Sequence, residues 1–289
     1  MLRQAEHEVT GTTRSEQRAS LIHDLGAEPA VVDAFDADGL RAAVAAAQPE
    51  VVIHQLTSIP KRIDPRSFEE QFEVNNRLRR EGTRNLVEAA RAAGARRVIA
   101  QSVAFFYEWG GGRAHLEDDP LDTTSEAGSA LAELERVVTA TEGIEGVVLR
   151  YGYLYGPGTG FASDGAQVDL LRKRRFPIVG NGDACFPFIH VDDAGAAAVL
   201  ALDHGAPGIY NVVDDDPAPV RDWLPYLAET VGAPKPRRVP TFLARLIGGE
   251  YGVRYMTRAE PASNEKAKRE LQLELRYPSW RQGFRDALG

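Results

Sequence analysis

The chain has 289 residues, enough for one large α/β domain, or such a domain with a smaller companion, around a substantial core. Its 34 Lys+Arg against 42 Asp+Glu leave a formal charge of −8, which disfavours a general nucleic-acid or anionic-membrane binder and favours small-molecule partners. A lone cysteine, Cys185, excludes an intrachain disulfide and suits the cytoplasm, no Cys/His cluster has zinc spacing, and no apolar run approaches the roughly 20 residues of a membrane span.

Residues 7–14 (HEVTGTTR) read as a buried strand entering a polar turn. Residues 15–25 are polar and helical, 28–33 are β-rich, and a helix starting at Asp36 runs through Ala47. A strand at 50–54 is followed by a long helix over about 75–93, with Leu86, Ala89, Ala90 and Ala93 on one face, and then by a strand at 97–102. This alternation of short apolar strands with helices predicts right-handed βαβ units and a parallel sheet. Residues 110–124 turn to Gly, Pro and acids, a surface loop. Thr124 or Ser125 caps the next helix, Glu126 favours its first turn, and Ala127, Leu131, Leu134 and Val138 point inward. A strand at 146–150 leads into a Gly- and Tyr-rich loop at 151–160. Further on come a helix at 166–175, a strand at 176–179, a turn at 180–183, a helix at 192–202 and a strand at 209–213. The remainder is mostly helical, broken by Pro234, Pro236 and Pro240, and the acidic run 214–216 reads as a solvated loop.

Motifs in order along nearly the whole chain carry a resemblance: HEVT from His7, VVD from Val31, VIH from Val52, EGTRNL from Glu81, AQS from Ala100, LRY from Leu149, YGPG from Tyr155, FIHVDD from Phe188 and YNV from Tyr210. Together they resemble the extended short-chain dehydrogenase/reductases, the NAD-dependent epimerase/dehydratase group. The resemblance implies a doubly wound, parallel-sheet Rossmann fold that binds a nicotinamide dinucleotide across its carboxyl edge, with a smaller C-terminal substrate lobe. Residues 1–160, with about 186–215, would form the dinucleotide-binding domain, and 161–185 with 216–289 the substrate lobe. It also implies a Gly-rich loop after a first strand, whose amides hold the pyrophosphate. Neither precedes the strand at 7–14, and residues 1–6 resemble the end of the helix that follows such a loop. The expectation is a family member lacking its first strand and glycine loop, through a misplaced start or a truncated product.

The resemblance places Arg14 where a ribose hydroxyl or a 2′-phosphate is read; its planar donor fork suits phosphate, so NADP is expected, with NAD as the alternative. Asp33 falls near adenine, Gln55, Leu56 and Thr57 pass under the cofactor, and Gln101 ends the strand beside them. The family's catalytic pair is a tyrosine and a lysine four residues later, sharing one helix face. Aligning Glu135 with the acid that ends that motif puts Ala127 at the tyrosine and Leu131 at the lysine. No lysine occurs between Lys61 and Lys173, and none of the nine tyrosines has a lysine at i+4, so the pair is absent. Ser102 falls near the family's substrate-orienting Ser/Thr, although one register puts Val103 there; Tyr107 and Tyr153 are further candidates for proton transfer, and Tyr153 for contact with substrate. Phe186 occupies the place of an arginine that clamps nucleotide-sugar phosphate, which suggests a smaller or more apolar substrate. His190 reads as a turn-orienting cap, and Asp118 and Asp119 lack a third metal ligand. The resulting reading is an atypical NAD(P)-dependent oxidoreductase or epimerase acting on a small carbonyl or alcohol, compatible with a homodimer. The alternative is a non-catalytic NADP-binding sensor or scaffold.

Overall fold

The computed structural model describes residues 1–60, 63 and 67–288, apart from the side chains of residues 247, 248 and 250–252. A single 3-10 turn, Leu2–Ala5, leads into β1 (Thr10–Thr13), α1 (Glu16–Asp24), β2 (Glu28–Val31), α2 (Ala37–Ala47) and β3 (Val51–His54). Then follow α3 (Phe68–Arg77), a π turn (Leu78–Gly82), α4 (Thr83–Ala92), β4 (Arg97–Val103), α5 (Glu126–Ala140) and β5 (Glu145–Tyr151). The C-terminal half holds β6 (Tyr153–Tyr155), α6 (Ala166–Arg172), β7 (Ile178–Val179), β8 (Cys185–Phe186), β9 (Phe188–His190), α7 (Val191–Leu200) and β10 (Gly208–Val212). It closes with β11 (Ala218–Pro219), α8 (Val220–Thr230), β12 (Arg238–Val239), α9 (Thr241–Arg258), α10 (Glu265–Glu270) and α11 (Trp280–Leu288).

The main sheet has the order β10-β5-β4-β3 and every neighbouring pair is parallel. Helices cover both faces, so the central strands read as apolar runs instead of alternating. On one face Val98, Ala100 and Val148 pack beneath α4 and α5 through Val87, Ala90, Leu134 and Val138. On the other, Ile99, Val147 and Leu149 meet Ala194, Ala197 and Ala201 of α7 and Ala267 and Leu271 of α10. Burying a Val, Leu or Ile here contributes about 1.5–3 kcal/mol each.

β1 and β2 pair in parallel but form a separate ladder, and neither is joined to β3 among the described residues. The doubly wound sheet is therefore divided at the place where the sequence reading lacks a strand. Leu2 packs on the α7-side core beside Val51 and Ile53, and Met1 Sδ lies over Gly195, 2.8 Å from where a Cβ would stand.

The predicted long helix is interrupted. α3 passes into α4 through a π turn, which adds one residue to a turn and rotates the side chains that follow. Gly82 ends that turn against Ala34, whose Cβ would stand 3.6 Å from an added Cβ. Ser125, of the two cap candidates, accepts the Gly128 N–H at 3.1 Å. The 151–160 segment is not all loop: β6 pairs in parallel with β9, an element the sequence reading did not contain.

The acidic run is corrected at Asp214, while Asp215 is exposed as expected. Asp214 is buried and accepts the Trp280 N–H, Asp215 accepts from Asn264 and Lys268, and Asp216 accepts from Ser279, so the run ties α10 and α11 to β10. A second core, built on Tyr155, Phe186, Phe188, Trp223, Trp280 and Phe284, fills the C-terminal half.

Candidate active site

Ligands of open parallel sheets bind outside the carboxyl ends of the strands. At those ends lie Arg14 after β1, Asp33 after β2, residues 55–57 after β3 and Gln101 near the end of β4. Arg14 is exposed. Asp33 Oδ1 accepts the Phe35 N–H at 2.9 Å, and the Arg77 guanidinium caps the Phe35 ring at 3.9 Å, forming a walled corner beside β2.

The turn after β3 is held from below. His54 Nδ1 accepts the Leu56 N–H at 3.2 Å and Nε2 meets Thr83 Oγ1 at 2.9 Å, while burial pushes the imidazole down to about 4. Asn75 Oδ1 accepts the Ser58 N–H at 2.9 Å, and its Nδ2 is buried without a partner among the described residues. Gln55 is exposed and its amide donates to the Tyr151 hydroxyl at 3.4 Å, and Thr57 is exposed. The carboxyl ends of the strands thus carry a polar, arginine-bearing corner at β1 and β2, and the side-chain amides of Gln55 and Gln101 at β3 and β4. No glycine occurs before Gly11, so residues 1–10 hold no glycine cradle for the pyrophosphate.

Side chains alternate along β4. Ser102 faces α5, while Gln101 and Val103 are half-buried on the other side. Ser102 donates to Glu135 Oε1 at 2.6 Å. Glu135 also receives Arg150 Nε at 2.8 Å and Nη2 at 2.6 Å, a bidentate pair buried at 4% and 3% exposure. Arg150 Nη1 donates to the Tyr107 hydroxyl at 2.8 Å, and Tyr107 donates onward to Asn211 Oδ1 at 2.6 Å. Burial raises the Tyr107 hydroxyl to about 12, with Arg150 opposing that rise. Two catalytic candidates, Ser102 and Tyr107, are thus committed to a closed network joining α5, β4, β5 and β10. Val103 presents its methyls where the alternative register expects the orienting hydroxyl.

Tyr153, the third candidate, lies elsewhere, in an aromatic stack. Its ring centroid is 4.2 Å from Phe105 and 4.7 Å from Phe186, with Tyr255 at 6.2 Å. The Tyr255 hydroxyl is buried with no partner among the described residues, and burial holds its pKa well above the ordinary value. A cavity of about 380 Å³, lined by Trp109, Gly110, Asp183, Thr257, Arg258, Ala259 and Glu260, adjoins these residues in the chain. The sequence reading missed Tyr255; its spacing carries no catalytic signature, and only the unused hydroxyl marks it.

Ala127 and Leu131 are both buried, at 3% and 0% exposure, two turns and one turn before Glu135 on the same stripe of α5. Neither Ala127 nor Leu131 carries a group that could transfer a proton. The sequence reading also passed over Arg79 of the π turn, whose Nη1 donates to the Ala127 carbonyl at 3.5 Å. The signal was available in the dense run RLRRE at 77–81, with one acid for three arginines. His190 accepts the Asp192 N–H at 3.1 Å and caps α7, and no group of three potential metal ligands occurs among the described residues.

Residues 1–212 match the NAD dependent epimerase/dehydratase family. Among curated proteins, a 3-diazoavenalumate denitrifying reductase from a Streptomyces species is 43% identical over 290 aligned residues, covering 98% of this chain and 93% of that protein. A UDP-glucose 4-epimerase from Thermotoga maritima, solved with UDP-glucose, superposes with a TM-score of 0.79 at 19% identity, over 99% of this chain and 91% of that one. A UDP-glucose 4-epimerase from Thermus thermophilus, solved with NAD, gives a TM-score of 0.76 at 22% identity, over 99% and 92%. The two structural likenesses establish the fold.

Proposed function

The chain belongs to the NAD-dependent epimerase/dehydratase family of NAD(P)-dependent oxidoreductases and epimerases, and from that premise we propose that it is a reductase replacing a diazo group on an aromatic substrate with hydrogen. One observation carries the reading: the face of α5 that would bear the proton-transferring pair is apolar, with Ala127 and Leu131 buried in its place.

Reduction of a ketone creates an alkoxide that needs a proton, which is the task of a tyrosine and lysine. The nicotinamide, when bound, supplies a hydride, and hydride arriving at a ring carbon that bears N₂⁺ leaves arene and neutral N₂ with no proton transferred. An active site for that chemistry has no need of an acid. Its tasks are to hold a flat ring and exclude water, and the stack of Phe105, Tyr153, Phe186 and Tyr255 is suited to both. The 43% identical reductase, named for a diazo substrate, supports the same class.

Arg14, Asp33, Gln55, Thr57 and Gln101 would hold the cofactor, Arg14 favouring NADP over NAD. Leu56, whose backbone is fixed by His54, would shape the floor. Tyr153 acts as a wall for the ring in this reading, and Ser102 and Tyr107 position β4 and β5 through Glu135 and Arg150. The single cysteine suits a cytoplasmic enzyme, and a homodimer is its expected assembly.

The protein is incubated with NADPH deuterated at C4 and a hydroxybenzenediazonium salt, against a control without protein. The expected result is protein-dependent deuterium at the former diazo carbon, with one N₂ released per NADPH oxidised. Reduction of simple ketones with no arene deuteration would refute the proposal. The non-catalytic sensor reading, which rests on the same missing pair, predicts cofactor binding with no oxidation by any substrate.

A further inference from the structure

Four arginines lie close together where α3 passes through the π turn into α4. Arg77 pairs with Glu81 at 2.6 Å, Arg80 with Glu126 at 2.8 Å, and Arg84 with Glu133. Arg79 is half-buried, as Arg80 is, but differs from all three in having no carboxylate within ion-pair distance among the described residues; it makes one long bond of 3.5 Å to the Ala127 carbonyl. A guanidinium carries five N–H donors, and the described residues take up only one of them. Glu135, the acid whose charge it feels, is already taken by Arg150 from two nitrogens and by Ser102. Burial lowers the Arg79 pKa to about 10, against the pull of Glu135, so the group remains charged at neutral pH.

Its position gives this spare cation a use. The π turn directs Arg79 at α5, onto the residue that stands at the tyrosine position, and Ala127 is too short to occupy the space a tyrosine would fill. A half-buried cation with donors to spare is a site for an anion, and arginine's planar fork matches carboxylate and phenolate oxygens. At neutral pH it does not release a proton, so it holds charge without acting as an acid.

We propose that Arg79 binds an anionic oxygen of the substrate, a ring phenolate or a carboxylate, beside Ala127. This rests on the diazo-reductase reading and deepens it. A ring oxide conjugated to a diazo group feeds electron density toward it and makes the ring carbon a poorer hydride acceptor. A fixed cation at the oxide withdraws that density and leaves the carbon electrophilic.

The test uses Arg79→Gln and Arg79→Lys in the full chain, each checked for a melting transition like that of the parent. Turnover is measured with benzenediazonium salts bearing a hydroxyl, a carboxylate or a methyl group. For Arg79→Gln the loss in kcat/KM on the oxygen-bearing substrate should exceed that on the methyl compound by roughly 10- to 100-fold, with Arg79→Lys in between. Comparing the hydroxyl and carboxylate substrates identifies which oxygen is bound. A second readout is independent of turnover: nitrophenol titrated by absorbance in the presence of NADP⁺ should show a lowered phenol pKa with the parent protein and an ordinary one with Arg79→Gln. If no diazo compound reacts but the nitrophenol shift appears and depends on Arg79, the reaction assignment fails and the anion site stands. Equal losses on all three substrates, an unshifted nitrophenol, or a loss confined to NADPH affinity in a fluorescence titration would overturn the proposal.

Discussion

Removing Glu135 tests whether the buried network, and not the cleft, is the task of Ser102 and Tyr107. Glu135→Ala deletes the acceptor of Arg150 Nε and Nη2 and of Ser102 Oγ, leaving Arg150 with the Tyr107 hydroxyl at 2.8 Å and the Glu117 carbonyl at 3.0 Å. Burial opposes the charge on Arg150, and the bonds from Glu135 more than offset it, so its pKa stands above the ordinary value. Without Glu135 that charge is buried and uncompensated, and Arg79 nearby adds a second. Breaking one side of a buried pair costs about 3–5 kcal/mol. At about 2–4 °C per kcal/mol for a chain of this size class, the melting point should fall by roughly 6–20 °C. Arg150→Met combined with Glu135→Leu removes both charges and should cost at least about 2 kcal/mol less than the two single changes added together. Reversible urea unfolding of the parent, the singles and the double measures each term. A Glu135→Ala variant within about 1 kcal/mol of the parent, or additivity within about 0.5 kcal/mol, would refute the account.

His54 predicts a pH dependence of stability. Its imidazole is held neutral to about 4 in the folded protein against 6.5 in the unfolded chain. As pH falls from 6.5 toward 4 the unfolded state takes up a proton that the folded state refuses, so stability present above pH 6.5 is lost, by about 3 kcal/mol. His54→Gln keeps a polar group beside Thr83 and should make stability fall less steeply than in the parent between pH 7 and 4.5 in urea titrations; parallel curves would dismiss His54 as the source. At the other end of the cleft, Arg14→Glu should shift the ratio of NADPH to NADH dissociation constants by about 10-fold or more toward NADH, measured by nicotinamide fluorescence. An unchanged ratio would remove Arg14 from the cofactor site.

What the sequence made legible follows its local signals. Val51–His54, Arg97–Val103 and Glu145–Tyr151 are apolar runs between helices, and the parallel sheet follows from them. The Ser125 cap and the His190 turn follow from side chains acting within three residues. The misses are all long-range or geometric. Asp214 looked solvated because its partner, the Trp280 N–H, lies 66 residues away. β9 was hidden in Phe-Ile-His, three residues whose pairing depends on β6. Arg79 resembles its neighbours in text, and only the π turn separates it from them by directing it inward.

Residues 127, 131 and 135 form one stripe along α5, at i, i+4 and i+8, and the stripe divides the family's requirements into two kinds. Glu135 serves the scaffold: it closes onto Ser102 and Arg150 and fixes the ends of β4 and β5, the edge from which any ligand must be approached. Ala127 and Leu131 belong to the chemistry, and here they are apolar without disturbing that closure, because the network begins one turn beyond them. A helix that had lost its function altogether would have no reason to leave a cation unmatched beside it. Arg79 is that cation, charged, short of acceptors and turned toward Ala127, so the face that cannot move a proton still carries the charge to hold a substrate.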